Sequence, residues 1–256
     1  MNVIIGQNAK ELGIEAGKKS AVLIRQAIRE NGSANIILAT GSSQFETLKQ
    51  LILEEGIEWN KVTMFHLDEY IGLPVSHKAS FRRYLKERFL DQVPELKSVN
   101  LINGETDARE ECKRLGDLIY KSPVDVALVG IGENGHLAFN DPPADFETGE
   151  AYIIASLDNE CRQQQVNEDW FGFVEEVPKQ AISMSVKQIM KSKHIVCSVP
   201  DIRKAKAVKD SLEENVSNLH PASILQNHPD CYLFLEKSSA SLLTKKEDYG
   251  EKNKNN

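Results

Sequence analysis

The feature that most constrains this fold is an alternation of short apolar runs with longer amphipathic ones. The runs "NVIIG", "ANIILAT", "KVTMFHL", "DVALVGI", "YIIAS", "HIVCSV" and "CYLFL" have the length and composition of strands. Between them, residues 9–31, 43–56, 107–121 and 202–214 repeat apolar positions at helical spacing. Such an order buries a mostly parallel α/β sheet between layers of helices. A chain of 256 residues is long enough for one substantial core, expected over residues 1–243. The tail, residues 244–256, ends in "KKEDYGEKNKNN", has almost nothing to bury and is expected to be disordered.

Charge and composition narrow the function classes. The formal net charge is -7 and the sequence pI about 5.5, so the chain is not built to coat nucleic acid. Any phosphate it binds is expected to belong to a small molecule. No apolar run approaches the roughly 20 residues that span a bilayer. The start "MNVIIGQNAKELG" lacks a basic region followed by an apolar signal core, so no membrane role and a cytoplasmic location are expected. Cys112, Cys161, Cys197 and Cys231 are scattered without a C-x-x-C pair, which argues against a zinc site or a disulfide framework. Cys197 and Cys231 read as small strand hydrophobes.

In an open parallel sheet, ligands bind beyond the carboxyl ends of the strands, and four of those ends carry chemistry here. The stretch "VGIGENGHLAFNDPP" places Gly130, Gly132 and Gly135 in a G-x-G-x-x-G pattern. A dinucleotide fingerprint must open a helix, whereas Pro142 and Pro143 prevent a smooth one. The alternative is a glycine-rich turn that carries Asn134, His136 and Asp141 to a ligand. His136 is the best acid–base candidate in the chain, because an imidazole titrates near neutrality and a carboxylate orients it. His66 reads as a core or wall residue, and His77, His194, His220 and His228 as structural.

The other three ends each admit a functional and a structural reading. "TGSSQ" places Thr40, Gly41, Ser42 and Ser43 at a helix start, which suits a monophosphate or ordinary capping by either serine. There is no G-K-[ST], so this is not a P-loop. "HLDEY" places Asp68 and Glu69 after a strand, as a proton-transfer base with a neighbour or simply as the acidic start of a loop. In "PDIRKAK", Lys204 either pairs with an anion at the sheet edge or is a solvated surface charge.

Taken together, "ATGSS", "FHLDEYIGLP", "NLINGE", "VDVALVGIGENGHLAFNDP", "VPKQAISMSV" and the Lys204 segment resemble the glucosamine-6-phosphate deaminase (isomerase) family, in family order over nearly the whole globular chain. The resemblance implies a Rossmann-like single domain, a mostly parallel sheet flanked by helices, with a lid segment. It implies opening of an amino-sugar 6-phosphate ring, proton transfer between C2 and C1, and release of ammonia to leave a ketose 6-phosphate. By position, Asp68 would shuttle the proton, and His136, served by Asn134 and Asp141, would open the ring. Thr40, Gly41, Ser42, Ser43 and Lys204 would hold phosphate, and Glu69, Gly132 and Arg162 are further candidates for substrate contact. The implied partner is a small sugar phosphate, with no cofactor and no metal. Monomer and homo-oligomer are both compatible with the family.

Three departures stand out against that pattern. The family usually has aspartate at the place of Asn134 and glutamate at that of Asp141. It also has a phosphate-binding arginine ahead of the "VP" motif. Here the lid reads "CRQQQVNEDWFGFVEEVP", where Arg162 aligns poorly and Gln163, Gln164 and Gln165 offer neutral hydrogen bonds. A galactosamine-type substrate or aldose–ketose isomerisation without ammonia loss would suit such a pocket. A 6-phosphogluconolactonase-type hydrolase and a non-catalytic sugar-phosphate sensor are the rival expectations.

Overall fold

The computed structural model describes residues 1–244 and Tyr249. In chain order the strands and helices begin β1 (Asn2–Gly6), α1 (Ala9–Asn31), β2 (Ala34–Leu38), α2 (Phe45–Leu51), β3 (Val62–His66), β4 (Asp68–Tyr70), α3 (Phe81–Leu85) and β5 (Ser98–Asn100). They continue with α4 (Ala108–Ile119), β6 (Val126–Val129), β7 (Tyr152–Ser156), α5 (Asn159–Asn167), β8 (Gln180–Met184), α6 (Val186–Ile189), β9 (His194–Val199), α7 (Ala205–Glu213) and β10 (Cys231–Glu236). All seven apolar runs read from the sequence are strands.

Seven strands form a parallel sheet in the order β1-β10-β9-β6-β2-β3-β5. Every residue of β3 and β6 is buried, as expected for inner strands covered on both faces. From β2 the chain runs outward to β3 and β5, and from β6 it runs the other way to β9 and β10. The sheet therefore switches direction between β2 and β6. The "TGSSQ" loop and the glycine–histidine loop leave the sheet side by side at that crevice.

The second sheet was not legible in the sequence. "YIIAS" joins no parallel partner; β7 pairs antiparallel with β8, which pairs antiparallel with β4. In this sheet Asp68 lies opposite Ser183, at the edge of the crevice. Tyr70, Phe81, Phe139 and Phe171 pack together beneath it as a separate aromatic cluster. The expected helix over 43–56 begins as a 3₁₀ turn at Ser42–Gln44 and ends as an α-helix at Leu51. The other three expected helices lie within their predicted ranges. Helices α3, α5 and α6 are too short for their periodicity to stand out.

Cys197 and Cys231 are buried in adjacent strands, consistent with their reading as strand hydrophobes, and all four cysteines are free. The predicted disordered tail falls outside the described residues except for Thr244 and Tyr249. Thr244 hydrogen-bonds Glu213, and Tyr249 packs partly buried against the core. No helix among the described residues is long and apolar enough to cross a membrane.

Candidate active site

One cavity at the crevice is lined by residues from six chain segments, among them Asp68, His136, Thr40, Ser42, Gln164 and Lys204. One face of it begins with the glycine-rich loop. Gly135 has φ 85°, a left-handed turn that glycine adopts without strain, and its N–H donates to the Gly132 carbonyl at 3.1 Å. This turn folds His136 back over Gly132. A Cβ on Gly132 would lie 2.3 Å from both Cε1 and Nε2 of that imidazole. Gly132→Ala must therefore displace the ring, and a shift of that size is expected to cost roughly 10²-fold in turnover. Steady-state kinetics check this: a G132A protein with wild-type kcat would show that the ring position is unimportant.

His136 Nδ1 lies 3.0 Å from Asp141 Oδ1, with both side chains buried. Asp141 also accepts from Asn134 Nδ2 at 3.0 Å and from the Asp158 N–H at 3.0 Å. Burial raises the Asp141 pKa, but the histidine and these donors more than offset it and hold the group below the usual carboxylate value. Asn134 accepts the His136 N–H at 3.1 Å, while its amide donates to both Asp141 and Asp158. An aspartate at position 134 would add a third carboxylate where two already converge, which accounts for the amide. Cys161 completes a cluster with His136 and Asp141 whose donor atoms lie within 4.8 Å. Burial and the neighbouring carboxylates push its thiol pKa well above the ordinary value, and a protonated thiol is a poor metal ligand.

Asp68 is buried in the same cavity, and burial followed by the charge of Glu69 pushes its pKa up to about 8. Of the two readings of His66, core or wall, the core one holds: fully buried and outside the cavity lining, it accepts the Ile102 N–H at 3.4 Å, and burial depresses its pKa to about 3.

Two candidates from the sequence lie elsewhere. Glu69 turns away from the cavity into the fold. Its carboxylate accepts from the N–H groups of Tyr70, Phe81 and Arg82, the Ser80 hydroxyl and the Arg82 guanidinium. Alternation along β4 sends adjacent side chains to opposite faces, so Asp68 and Glu69 cannot share the cavity. Arg162 is buried against the lid backbone, where it donates to the Val174 and Val177 carbonyls instead of facing the cavity.

The opposite end of the cavity is the candidate phosphate seat. Thr40, Gly41, Ser42 and Ser43 line it from the end of β2. Lys204 is only 4% exposed, so its surface-charge reading fails, and burial lowers its pKa against the pull of nearby carboxylates. Those carboxylates are Glu168 at 3.5 Å and Glu133 at 3.9 Å. Glu168 was missed in the sequence because a lone acid just beyond α5 has no periodic or motif signal. Of the three lid glutamines, Gln164 and Gln165 line the cavity, while Gln163 bonds Asn167 outside it.

Known proteins resemble this chain over nearly its whole length. Residues 7–233 match the family model described as glucosamine-6-phosphate isomerases/6-phosphogluconolactonase. A glucosamine-6-phosphate deaminase of Oenococcus oeni is 36% identical over 91% of this chain and 96% of its own. One from Bacillus cytotoxicus is 34% identical over 94% and 89%. The solved structure of a monomeric glucosamine-6-phosphate deaminase superposes with a TM-score of 0.85 at 32% identity, covering 94% of this chain and all of that one. The 6-phosphogluconolactonase of Thermotoga maritima superposes at 0.76 with 14% identity over 92% and 99%, a likeness of fold alone. On the matched length, identity and shared fold, this chain belongs to the glucosamine-6-phosphate isomerase/6-phosphogluconolactonase family.

Proposed function

We propose that this protein is an isomerase and deaminase of a hexosamine 6-phosphate, releasing ammonia and a ketose 6-phosphate. The observation that carries the reading is a buried carboxyl of raised pKa, Asp68, in one cavity with the His136–Asp141 pair. Lactone hydrolysis has no use for a carboxyl tuned to exchange a proton with carbon, whereas isomerisation requires one.

His136, oriented by Asp141, takes the proton from the anomeric hydroxyl and protonates the ring oxygen, so the C1–O5 bond breaks and the aldehyde forms. Asp68 removes the C2 proton, giving an enolamine. The substrate's own ammonium favours the ionised form of Asp68 for that step. Returning the proton to C1 leaves an iminium at C2, and attack of water there expels ammonia and yields the ketone. Thr40, Gly41, Ser42, Ser43 and Lys204 anchor the phosphate and hold C1 and C2 over the acid–base pair. The mechanism uses no redox cofactor.

The test is an assay for ammonia and ketose 6-phosphate from glucosamine 6-phosphate and galactosamine 6-phosphate. His136→Ala is expected to lower turnover by roughly 10²–10⁴-fold. Ketose phosphate formed from a non-amino aldose phosphate, with ammonia from neither hexosamine, would recast the protein as a simple isomerase. Hydrolysis of 6-phosphogluconolactone instead would make it a lactonase.

A further inference from the structure

The phosphate seat already contains a carboxylate. Glu168 Oε2 accepts from the Ser42 hydroxyl at 2.9 Å, Oε1 accepts from Gln164 Nε2 at 2.8 Å, and Lys204 Nζ stands 3.5 Å away. Gln164 is itself held, its Oε1 accepting the Glu133 N–H at 2.9 Å. The Glu168 side chain is 5% exposed, so it is locked into the wall of the seat. Lys204, Ser42 and Gln164 together hold it ionised despite its burial.

Around it two cations, Lys204 and Arg203, stand against three carboxylates, Glu168, Glu133 and Asp201. Lys204 faces Glu168 and Glu133, while Arg203 pairs with Asp201 at 2.7 Å and with Glu133 at 3.5 Å. A doubly charged phosphate entering this seat meets no surplus of positive charge, and one of its oxygens faces the Glu168 carboxylate. Two acceptors without a proton between them repel, whereas an ester oxygen carrying a proton donates to the carboxylate.

We propose that Glu168 is a specificity-determining residue of the phosphate seat: it accepts a hydrogen bond from a protonated ester oxygen, so the seat takes the sugar phosphate as a monoanion and rejects oxyanions that carry no proton. This rests on the sugar-phosphate reading given above. Gln164 and Ser42 hold the carboxylate in place, and Lys204 meets the remaining charge of the ester. Binding at neutral pH therefore draws a proton from solvent. The other titratable groups facing this end are Lys204, Arg203, Glu133 and the phenols of Tyr70 and Tyr84, with Asp68 and His136 across the cavity. All of them are present in wild type and in a Glu168 variant, and Lys204 is the one whose charge Glu168 supports most directly.

The experiment is titration calorimetry of the whole protein with glucitol 6-phosphate, whose open-chain polyol cannot enter the reaction. It is run near pH 5.5 and near pH 7.5 in buffers of different ionisation enthalpy. With a second ester pKa of about 6, wild-type Kd is expected to rise roughly 20-fold between these conditions, with uptake of about one proton at the higher pH. Glu168→Gln, which donates to a deprotonated oxygen, is expected to flatten that rise to less than about 3-fold, with no proton uptake, by the same ionisation. Wild type is also expected to bind inorganic phosphate and not sulfate, and E168Q to bind both. If E168Q does not fold, wild type decides alone. Equal affinity for sulfate and phosphate, or ester binding without proton uptake, overturns the assignment of Glu168 and leaves the deaminase reading standing. Equal proton uptake by wild type and E168Q overturns it as well. Failure of the ester to bind either protein at either pH, together with no ammonia release, removes the sugar-phosphate reading and this inference with it.

Discussion

Asp68→Asn is expected to lower ammonia release by roughly 10²–10⁴-fold and yet give a more stable protein. The lost activity follows from removing the only atom that exchanges a proton with carbon in the proposed mechanism. The added stability follows from linkage. Folding raises the Asp68 pKa from 3.8 to about 8, so between those values the native state holds more protons than the unfolded one. Native stability therefore falls as pH rises through that window. Asparagine is nearly isosteric and cannot ionise, so the variant escapes the loss. Its melting temperature should match the wild type's near pH 4, exceed it by several degrees near pH 8, and keep a constant lead above that. Thermal unfolding across pH checks the argument. A constant difference from acid to alkaline pH would mean that Asp68 titrates normally and is not tuned for carbon acid chemistry.

Glu69→Ala is expected to do the reverse, with the larger structural effect. Five donors from Tyr70, Ser80, Phe81 and Arg82 converge on this carboxylate, and its side chain has no exposed surface. Truncation strands those donors in the core and leaves the Arg82 guanidinium without its buried partner. It retains Glu105 at 2.8 Å, Asn103 at 3.0 Å and the Leu73 carbonyl at 3.0 Å. Removing one member of a buried ion pair costs about 3–5 kcal/mol, a large share of the stability of an ordinary domain. Urea denaturation measures it. A loss below about 1 kcal/mol would show that water or rearranged side chains satisfy the donors, as at an exposed pair.

Those two adjacent acids mark where sequence reasoning reached its limit. "DEY" after an apolar strand identified a chemically loaded strand end, and Asp68 does line the cavity. Which of the two faces a ligand depends on a three-residue strand paired with Ser183 to Ala181, more than a hundred residues away in the chain. Nothing local encodes that pairing. Arg162 illustrates the same limit, since its place in the lid suggested a substrate contact and the fold assigns it to the lid backbone. Lys204 shows it from the other side: only burial distinguishes it from a surface lysine.

The parallel sheet, its inner strands and the glycine–histidine turn were determined by the sequence, because each rests on local patterns: apolar runs of strand length, helical spacing, and glycines followed by paired prolines. Tertiary structure alone decided the antiparallel sheet, the inward turn of Asp68 against the buried anchoring of Glu69, and the carboxylate of Glu168 beside Lys204. Each of these depends on side chains from distant segments meeting where water is excluded. Only there do pairing and charge balance become strong enough to set the role of a residue.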